Sequence, residues 1–466
     1  MFRALVEKEI RDLLGSTKFV LTFTLSTVLI IGAFLIGATR HNLNQRQYEA
    51  SVAENLRQLD GLTDWNQMEQ NRVFLPPQPL AALVSGVSND IGRTIAVTGR
   101  GELTATDSRY SEDPIYAVFR FLDLEFIFQI VFSLFAILLG FDAVCGEKER
   151  GTLRLALANA VPRHIFIAGK LVGSGAALTV SLLVAVGAGC LLLPIMGISL
   201  SAEEWIRLLL IVLTGLLYFG VFLTMSVFVS TITHRSSSSF LAMLVIWIVG
   251  VLVIPRVSVL LAGRAVEVPS VDYLSTQKAS YREQLWKESR ALMADFQPKA
   301  NTACAATDFA RFMDSLMDVR EAKMQIYRGR LDEERHNREQ QQQSLAFNIA
   351  RVSPSTSLTL AASALAGTFL TLKEHFVDEA SNYQDSYGQF IKEKTGLNPA
   401  AGMKVIKIGE SNQEPIDANE LPRFGYQPVP LQQSVAVAAV DMGILTIFNL
   451  FFFAGGFLAF GRYDVR

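Results

Sequence analysis

Six long apolar runs determine which class of protein this chain can form. They lie at about 19–38, 119–144, 166–195, 206–231, 239–262 and 433–460. A helix needs about 20 apolar residues to cross the roughly 30 Å hydrocarbon core of a bilayer. Helices are favoured there because they satisfy their own backbone polar groups. The sequence therefore predicts an all-α polytopic membrane protein with six transmembrane helices.

Composition agrees with a membrane protein and argues against several other classes. Half of the 466 residues are hydrophobic, 18% are charged and the net charge is −2, so nothing favours nucleic-acid binding. Cys145, Cys190 and Cys304 form no CxxC pair, and the five histidines are well separated. We therefore expect no metal site.

Lysine and arginine residues near the ends of the apolar runs indicate the orientation, because cytoplasmic loops are enriched in them. With six spans, these residues fall on one side: Arg3, Lys8, Arg11, Lys18, Lys148, Arg150, Arg154, Arg163, Lys170, Arg235, Arg462 and Arg466. We therefore expect both termini in the cytoplasm. The first run is long and is followed by no small-residue cleavage pattern, so it is predicted to be retained as an anchor.

The polar segments complete a predicted domain plan. Residues 1–18 carry apolar residues at helical spacing, among them Leu5, Ile10 and Leu13. This pattern predicts an amphipathic elbow helix on the cytoplasmic membrane surface. Residues 39–118 and 263–432 would lie on the opposite side as extracytoplasmic regions. Membrane lipids are the expected surroundings of the spans.

The 263–432 region is expected to be a large, mostly helical domain with a small β element. Charged, proline-poor sequence over 275–350 predicts a helical hairpin broken near 298–301. Alternation at 403–408 and at 94–98 predicts two strands. They would belong to one small sheet built from both outer regions or shared with a partner protomer. The mildly apolar 358–372 segment is expected to be an interfacial or helix-packing segment rather than a seventh span.

One cytoplasmic loop, 145–165, has a distinct pattern. A charged helix end is followed by a break at Gly151. Leu153, Leu155 and Leu157 then give a short amphipathic helix that Pro162 stops. A short helix held between two spans can transmit a push from a cytoplasmic partner. Without such a partner, the same pattern would be a solvated loop.

This loop resembles that of permeases of the type-2 ATP-binding-cassette (ABC) exporter class. The matching positions are Glu147, Glu149, Gly151, Thr152, Leu153, Pro162, Arg163, Gly169 and Lys170. In that family the loop is a coupling helix that docks onto a separate ATPase subunit. The resemblance therefore implies ATPase-coupling roles for Glu147, Glu149, Gly151, Thr152, Leu153, Leu155, Leu157, Pro162, Arg163 and Lys170.

Two further segments resemble one subgroup of these permeases. The proline-rich stretch 76–80, with Gly86 beyond it, is similar to the outer segment of the gliding-motility and nitrous-oxide-reductase-maturation permeases. Residues 231–235 are similar to the fourth-span exit of the same subgroup. The resemblance covers roughly 1–262 and the last span. The large 263–432 insert departs from the family pattern, and the substrate stays open.

We expect no catalytic site in this chain. It contains no G-x-x-x-x-G-K-[ST] loop to hold nucleotide phosphates, no G-x-S-x-G and no H-E-x-x-H motif. ATP and Mg²⁺ would therefore be bound by the partner, and this chain would hold no cofactor or metal. The resemblance implies two ATPase subunits, a second permease that is identical or a paralogue, and a location in a bacterial inner membrane.

Polar side chains inside the spans are functional candidates, because burying them in lipid costs several kcal/mol unless they are paired or hydrated. The candidates are Asp123, Glu125, Gln129 and Asp441. They would line an outer cavity or form helix–helix contacts, and for Asp123 and Glu125 a simple interfacial position is an alternative. Near the inner end, Asp142 and Glu147 are expected to pair with Arg150 or Arg154.

Three functions are compatible with these features. The first is the permease of an ABC exporter, which would couple ATP hydrolysis by the partner to substrate export. The second is a mechanical transmitter that passes the same motion through the 263–432 region to a periplasmic partner protein. The third is a membrane scaffold or sensor without an ATPase.

Overall fold

The computed structural model describes residues 2–60, 71–88, 91–98, 123–158, 162–295, 305–395 and 420–462, with single positions at 62, 65, 68, 103, 105, 106, 416 and 417. Only the backbone is described at 105, 106, 156, 157, 305–311, 314 and 395. The chain forms two compact units, one of Met1–Val251 with Ser353–Arg466 and one of Leu252–Val352.

Helices make up most of the described chain. In order they are α1 (Phe2–Leu14), α2 (Thr17–Arg57), α3 (Leu124–Phe126), α4 (Ser133–Gly140), α5 (Cys145–Glu149), α6 (Thr152–Ala158), α7 (Arg163–Ile195), α8 (Ala202–Ile232), α9 (Ser236–Trp247), α10 (Ile254–Ala265), α11 (Val271–Ala294), α12 (Ala305–Ala350), α13 (Pro354–Ala366), α14 (Thr371–Thr395) and α15 (Leu431–Gly461). π-Helical turns at Ile127–Phe132 and Ile248–Val253 join α3 to α4 and α9 to α10. The fold is thus an all-α polytopic membrane protein with a small β element.

The first unit is a helix bundle with two distinguishable ends. At one end, which we call the near end, Arg163 at the start of α7 donates to the carbonyl oxygen of Gly461 at the end of α15 (2.6 Å). Helix α1 also lies there, with Leu5 against Gly169. We call the opposite end the far end. Between them a continuous apolar core is built from α2, α4, α7, α8, α13 and α15.

Helix α2 is longer than the predicted first span, 19–38, because it continues to Arg57. The sequence between Arg40 and Arg57 contains neither glycine nor proline and is rich in helix formers such as Gln, Glu and Ala. Nothing in it therefore stops the helix at the edge of the apolar run. The predicted region 39–118 consequently begins as a helical extension of the span.

A small sheet lies at the far end, in the order β1 (Asn71–Phe74), β2 (Thr94–Val97), β3 (Ala105–Thr106), with antiparallel pairing. Its inner face packs on α14 through Phe376, Tyr383 and neighbouring apolar residues. The strand predicted at 94–98 is β2, whereas β1 was not predicted. The other predicted strand, 403–408, lies outside the described residues, so the sheet shared between both outer regions stays a prediction.

Among the described residues, seven helical segments are long and apolar enough to cross a membrane, one more than the six predicted. The additional segment, Pro354–Lys394, contains the stretch that we expected to pack against helices rather than to span. It consists of two helices, α13 and α14, separated at Gly367, whose φ of 70° is left-handed. The 13 residues of α13 advance only about 20 Å, which is less than the roughly 30 Å hydrocarbon core.

Contacts at its two ends place α13 inside the bundle as a half-span. At its start, Ser353 Oγ donates to the carbonyl oxygen of Gly250 in the middle of the fifth apolar segment, Ser236–Ala265. At its end, the carbonyl oxygen of Leu365 accepts from Arg207, near the far end of α8 (3.1 Å). Every residue of α13 except Thr359 is buried. The chain therefore reaches the middle of the bundle and returns towards the far end.

The second unit contains α10, α11 and α12. Helices α11 and α12 pack antiparallel, with Tyr281 and Tyr327 stacked at 4.0 Å and Lys278 paired with Asp332 at 2.8 Å. These two helices occupy the part of the sequence in which a helical hairpin was predicted, and 296–304, which contains the predicted break, lies outside the described residues. The end of α12 turns back to α10, since Gln342 donates to the carbonyl oxygen of Val266 (2.7 Å).

The contact between α2 and the 79–82 turn provides a test of this packing. A Cβ atom at Gly37 would overlap the carbonyl oxygen of Ala82, which is backbone and cannot rotate away. We expect Gly37→Ala to destabilise the protein by about 1–3 kcal/mol through overpacking, measured by thermal unfolding in detergent. Gly32→Ala in the same helix is the control, because nothing lies within 4 Å of that position. An equal loss in both variants would contradict the packing described.

Candidate functional site

The loop predicted to couple to an ATPase forms two short helices at the near end. Helix α5 ends at Glu149 with Arg150 as its C-cap, and Gly151 follows with a φ of 74°, a left-handed conformation that glycine adopts without a steric penalty. Helix α6 then begins at Thr152, whose hydroxyl donates to the carboxylate of Glu147. The predicted break at Gly151 and the short helix after it are therefore both present.

A buried ion triad anchors this loop. Lys170 of α7 is 3.0 Å from a carboxylate oxygen of Glu9 and 3.2 Å from one of Glu147, and its side chain is 9% exposed. Glu9 belongs to α1, so the ammonium group joins three separate segments. Gly173, one turn further along α7, leaves room for the side chain of Glu9. The sequence placed Glu147 and Lys170 in the site but not Glu9.

Glu149 caps the start of another helix. Its two carboxylate oxygens accept from the backbone N–H of Ser236 (3.0 Å) and from the hydroxyl of Ser236 (2.6 Å). Ser236 is the first residue of α9, and the unsatisfied N–H groups and positive dipole end there favour a carboxylate. The carboxylate therefore ties the loop to the fifth apolar segment, although the side chain stays exposed.

Lys148 holds the end of α8. Its ammonium group donates to the carbonyl oxygens of Thr231 (2.6 Å) and Thr233 (3.0 Å), where the helix leaves its own carbonyls unsatisfied. In the opposite direction, the hydroxyl of Ser230 accepts from the backbone N–H groups of Val144 and Cys145 (both 3.0 Å). Sequence reasoning missed both contacts, because their partners lie more than 80 residues away along the chain.

Two further contacts attach the loop region to the first and last spans. Asp142 pairs with Lys18 at the start of α2 (3.2 Å), and Arg163 donates to the last carbonyls of α15. The sequence suggested that Asp142 and Glu147 pair with Arg150 or Arg154. This prediction is wrong. The reason is geometric, because each carboxylate meets a lysine from another helix as the loop folds back under the bundle.

The remaining predicted positions divide between an inner and an outer face. Leu153 is 2% exposed and packs with Phe166, Val227 and Phe460. Leu155, by contrast, is 67% exposed. Pro162 precedes α7 as its N-cap residue. The side chain of Leu157 lies outside the described residues. The loop is therefore fixed on one face and presents an apolar residue to solvent on the other.

The polar residues predicted within the spans lie in the other half of the bundle. Asp123 caps α3 by accepting from the N–H of Phe126 (2.9 Å) and from the hydroxyl of Ser85 (2.7 Å), which makes it structural. The backbone carbonyl of Gln129, in the π-helical turn, accepts from the hydroxyl of Tyr218 (3.0 Å). Glu125 and Asp441 are 3% and 0% exposed. Part of the predicted set is thus structural, and two carboxyl groups are buried.

Arg207 is a buried cation that sequence reasoning did not select. It pairs with Glu203 (2.8 Å) and donates to the carbonyl oxygens of Leu365 and Val429 and to the hydroxyl of Ser434. These contacts join α8, α13 and the start of α15 at the far end. The signal was present in the sequence, because an arginine near the start of an apolar run needs several acceptors when it is buried. No group of three or more metal-ligating side chains occurs among the described residues.

The triad gives a stability prediction. Lys170→Met would leave Glu9 and Glu147 buried without their shared cation, and removing one partner of a buried ion pair costs about 3–5 kcal/mol. We expect a matching fall in thermal stability in detergent. The triple variant Glu9→Gln, Lys170→Met, Glu147→Gln should regain most of the loss, because it removes the buried charges as well. A triple variant as unstable as Lys170→Met would contradict the ionic account.

Comparison with known proteins agrees with this geometry. Residues 3–465 match the family model described as ABC-2 family transporter protein. A stretch of 122 residues, 26% of this chain, is 33% identical to a protein of Stutzerimonas stutzeri described as a probable ABC transporter permease protein NosY. The match spans 44% of that relative's length. Since the family model extends over nearly all of the sequence, this multi-pass membrane protein belongs to the ABC-2 transporter family.

Proposed function

We propose that this chain is the membrane-spanning permease subunit of an ABC transporter and that a separate ATPase subunit docks on the α5–α6 loop. The observation that carries the proposal is the set of contacts between consecutive loop residues and different helices. Glu147 binds Lys170 of α7, which also binds Glu9 of α1. Lys148 binds the end of α8, and Glu149 binds the start of α9. A force on the loop would therefore reach most of the bundle at once.

The exposed face of the loop is the proposed docking surface. Leu155 presents an apolar side chain, and Arg154 beside it is exposed as well. Leu153 on the opposite face is buried in the core, so α6 cannot rotate freely when a force acts on it. In this arrangement the near end is the cytoplasmic one, with both termini on that side of a bacterial inner membrane, in agreement with the distribution of Lys and Arg.

The expected working assembly has two permeases and two ATPase subunits. The second permease is another copy of this chain or a paralogue, and the ATPase subunits bind ATP and Mg²⁺. Closure of the ATPases would move the loop, and the capped ends of α8, α9 and α15 would follow it. Such a shift between two states requires differential binding free energy, which ATP supplies in the partner. Export across the membrane is the proposed outcome, and the chain itself carries out no catalysis.

One observation favours a mechanical transmitter as a second candidate function. Leu252–Val352 is a compact unit in its own right, and its long helix α12 carries exposed apolar residues, including Val319 (57%) and Ile326 (74%). In this alternative the ATP-driven motion would act through that unit on a periplasmic protein, and no solute would cross the membrane.

The docking surface can be tested with two variants of the same loop. Leu155→Asp changes an exposed side chain, so we expect normal folding but at least tenfold less co-purifying ATPase subunit, because an apolar contact becomes a buried charge. Glu149→Gln is the matched comparison, since its side chain binds Ser236 within this chain. It should retain the ATPase subunit and lower the ATPase stimulation that the permease provides. Full binding by Leu155→Asp would overturn the proposed docking face.

The second candidate predicts a different result for α12. We expect Val319→Asp with Ile326→Asp to leave folding, ATPase binding and ATPase stimulation unchanged, because both residues lie on a solvent-exposed face. The measurement is complementation of a deletion strain by the variant chain. Loss of complementation with intact ATPase stimulation would favour the mechanical transmitter, and full complementation would exclude a role for this face.

A further inference from the structure

A cavity lies at the far end of the first unit, between the end of α13, the start of α14 and the start of α15. Its volume is about 270 Å³. An apolar cavity of about 150 Å³ already holds a molecule of the size of benzene. The space is therefore large enough for an organic group and not only for water. We call it the α13–α15 cavity.

Hydrogen bonds hold the walls of the α13–α15 cavity in place. Arg207 donates to the carbonyl oxygen of Val429 (2.5 Å) and to the hydroxyl of Ser434 (3.0 Å), and both acceptor residues line the cavity. On the other side, Nε2 of His375 donates to the carbonyl oxygen of Gln427 (2.8 Å). The walls are thus fixed without a ligand, and a preformed site lowers the cost of binding.

One side of the α13–α15 cavity is apolar. It is formed by Ala364, Phe369, Leu372 and Val437. Val437 lies within the sixth apolar run, 433–460, and yet its side chain is 43% exposed. The packing therefore leaves space beside this side chain. Apolar walls with a few polar groups are typical of sites that bind organic molecules.

The other side of the cavity is acidic. Glu374 and Asp378 line it and lie one turn apart on the same face of α14. Both side chains are exposed, and Glu374 also takes part in an interaction within the chain. Asp378 is thus the carboxylate with capacity for a ligand, and Glu374 adds negative potential beside it. Carboxylates at a cleft raise the local concentration of cations.

Nearby positive charge does not cancel this acidic character. Among the described residues that line the cavity, none is a lysine or an arginine. Arg207 lies behind Ser434, where its guanidinium group pairs with Glu203 (2.8 Å). A cationic ligand would therefore meet the carboxylate of Asp378 without strong competition from a cation of the wall.

The two sides of the cavity differ in their relation to the membrane. Val437 belongs to α15, which forms the sixth span. Helix α14 packs on the small sheet at the far end through Phe376 and Tyr383, beyond the apolar runs. A molecule that fills the cavity would therefore place one end beside membrane-spanning residues and the other beside exposed carboxylates.

This lining selects one class of ligand. Carboxylates repel an anion. A metal ion needs several ligand groups that converge on one point, and no group of three or more metal-ligating side chains occurs in the part of the chain that the structure describes. An organic ammonium group needs one carboxylate, and an attached hydrocarbon chain would satisfy the apolar side.

We propose that the α13–α15 cavity binds an amphipathic primary amine. Asp378 pairs with the ammonium group of the ligand, and Leu372 and Val437 contact its apolar part. A phospholipid headgroup and a free alkylamine both carry this chemistry, and the experiment distinguishes the two sources. The site consists of this chain's own residues, so its test does not depend on a docked ATPase or on the proposed function.

The test measures binding of dansylcadaverine, a fluorescent amphipathic primary amine, to the full chain in dodecyl maltoside. We expect saturable fluorescence enhancement that decylamine reverses and decanoate does not, because decanoate carries the opposite charge. Added phosphatidylethanolamine should displace the probe if the lipid headgroup is the natural ligand, whereas diacylglycerol, which lacks the amine, should not. Displacement by decylamine without displacement by phosphatidylethanolamine would identify a free amine as the ligand.

Two variants, each with a matched control, locate the binding. Asp378→Asn should raise the Kd of the probe about three- to fivefold, as expected for an ion pair that water still screens. Asp385→Asn removes an exposed carboxylate of the same helix outside the cavity and should leave the Kd unchanged. Val437→Trp should fill the cavity and raise the Kd at least about tenfold. Val440→Trp, at an exposed position outside the cavity, should have no effect.

The exposed position of Asp378 keeps the test decisive if Val437→Trp does not fold, because an exposed carboxamide is compatible with folding. A folded Asp378→Asn protein with an unaltered Kd would overturn the proposal. The absence of saturable binding to the unaltered chain, or equal displacement of the probe by decanoate and decylamine, would overturn it as well.

Discussion

A single buried ammonium group joins three separate parts of the near end. Lys170 lies between Glu9 of α1 and Glu147 of α5, with little exposure to water. A lysine in such a position is stable only with close partners, because removing an ion from water costs several kcal/mol. The elbow helix, the loop and α7 therefore hold one another in place. The triad thus fixes the loop against α1 and α7, and Lys148 and Glu149 fix it against α8 and α9.

Close helix contacts around the triad make the same region stiff. Gly169 and Gly173 of α7 receive the side chains of Leu5 and Glu9, and Gly189 further along receives the ring of Phe34. Small residues at such positions bring helices together without the hydrophobic driving force that operates in water. In the proposed coupling, a loop attached to stiff neighbours would move them as bodies instead of bending them. Its contacts with the ends of α8 and α9 would then act together.

Local patterns in the sequence predicted much of this structure, and long-range pairing did not follow from them. The apolar runs predicted six spans, and Gly151 with Pro162 marked the ends of the short α6 segment. The partners of Lys148 and Glu149 could not be predicted, because they depend on how α8 and α9 meet the loop. The half-span α13 was hidden for a similar reason. Its small residues are compatible with both a packing segment and a weak span. Gly367 and the contacts of Leu365 identify it as a half-span within the bundle.

Glu9 could have been found from the sequence, since it lies on the face of α1 that carries Leu5, Val6 and Leu13. A carboxylate on an apolar stripe requires a buried cation, and Lys170 is the basic residue that enters the third run. The same reasoning applies to Arg207 in the fourth run. Charged residues within apolar stripes or runs thus gave more information on tertiary contacts than the hydropathy pattern itself.

Helix α8 links the two ends of the bundle, because it is attached to other elements at both. At the near end its last carbonyls are held by Lys148, and at the far end Arg207 joins it to α13 and α15. Between these two attachments α8 packs on α4, α13 and α15. A helix of 31 residues without an internal proline moves as a rigid rod. Any displacement of the loop that shifts the end of α8 must therefore also reach the contacts of Arg207 with α13 and α15. This is the physical requirement for coupling between the near end and the far end of the bundle.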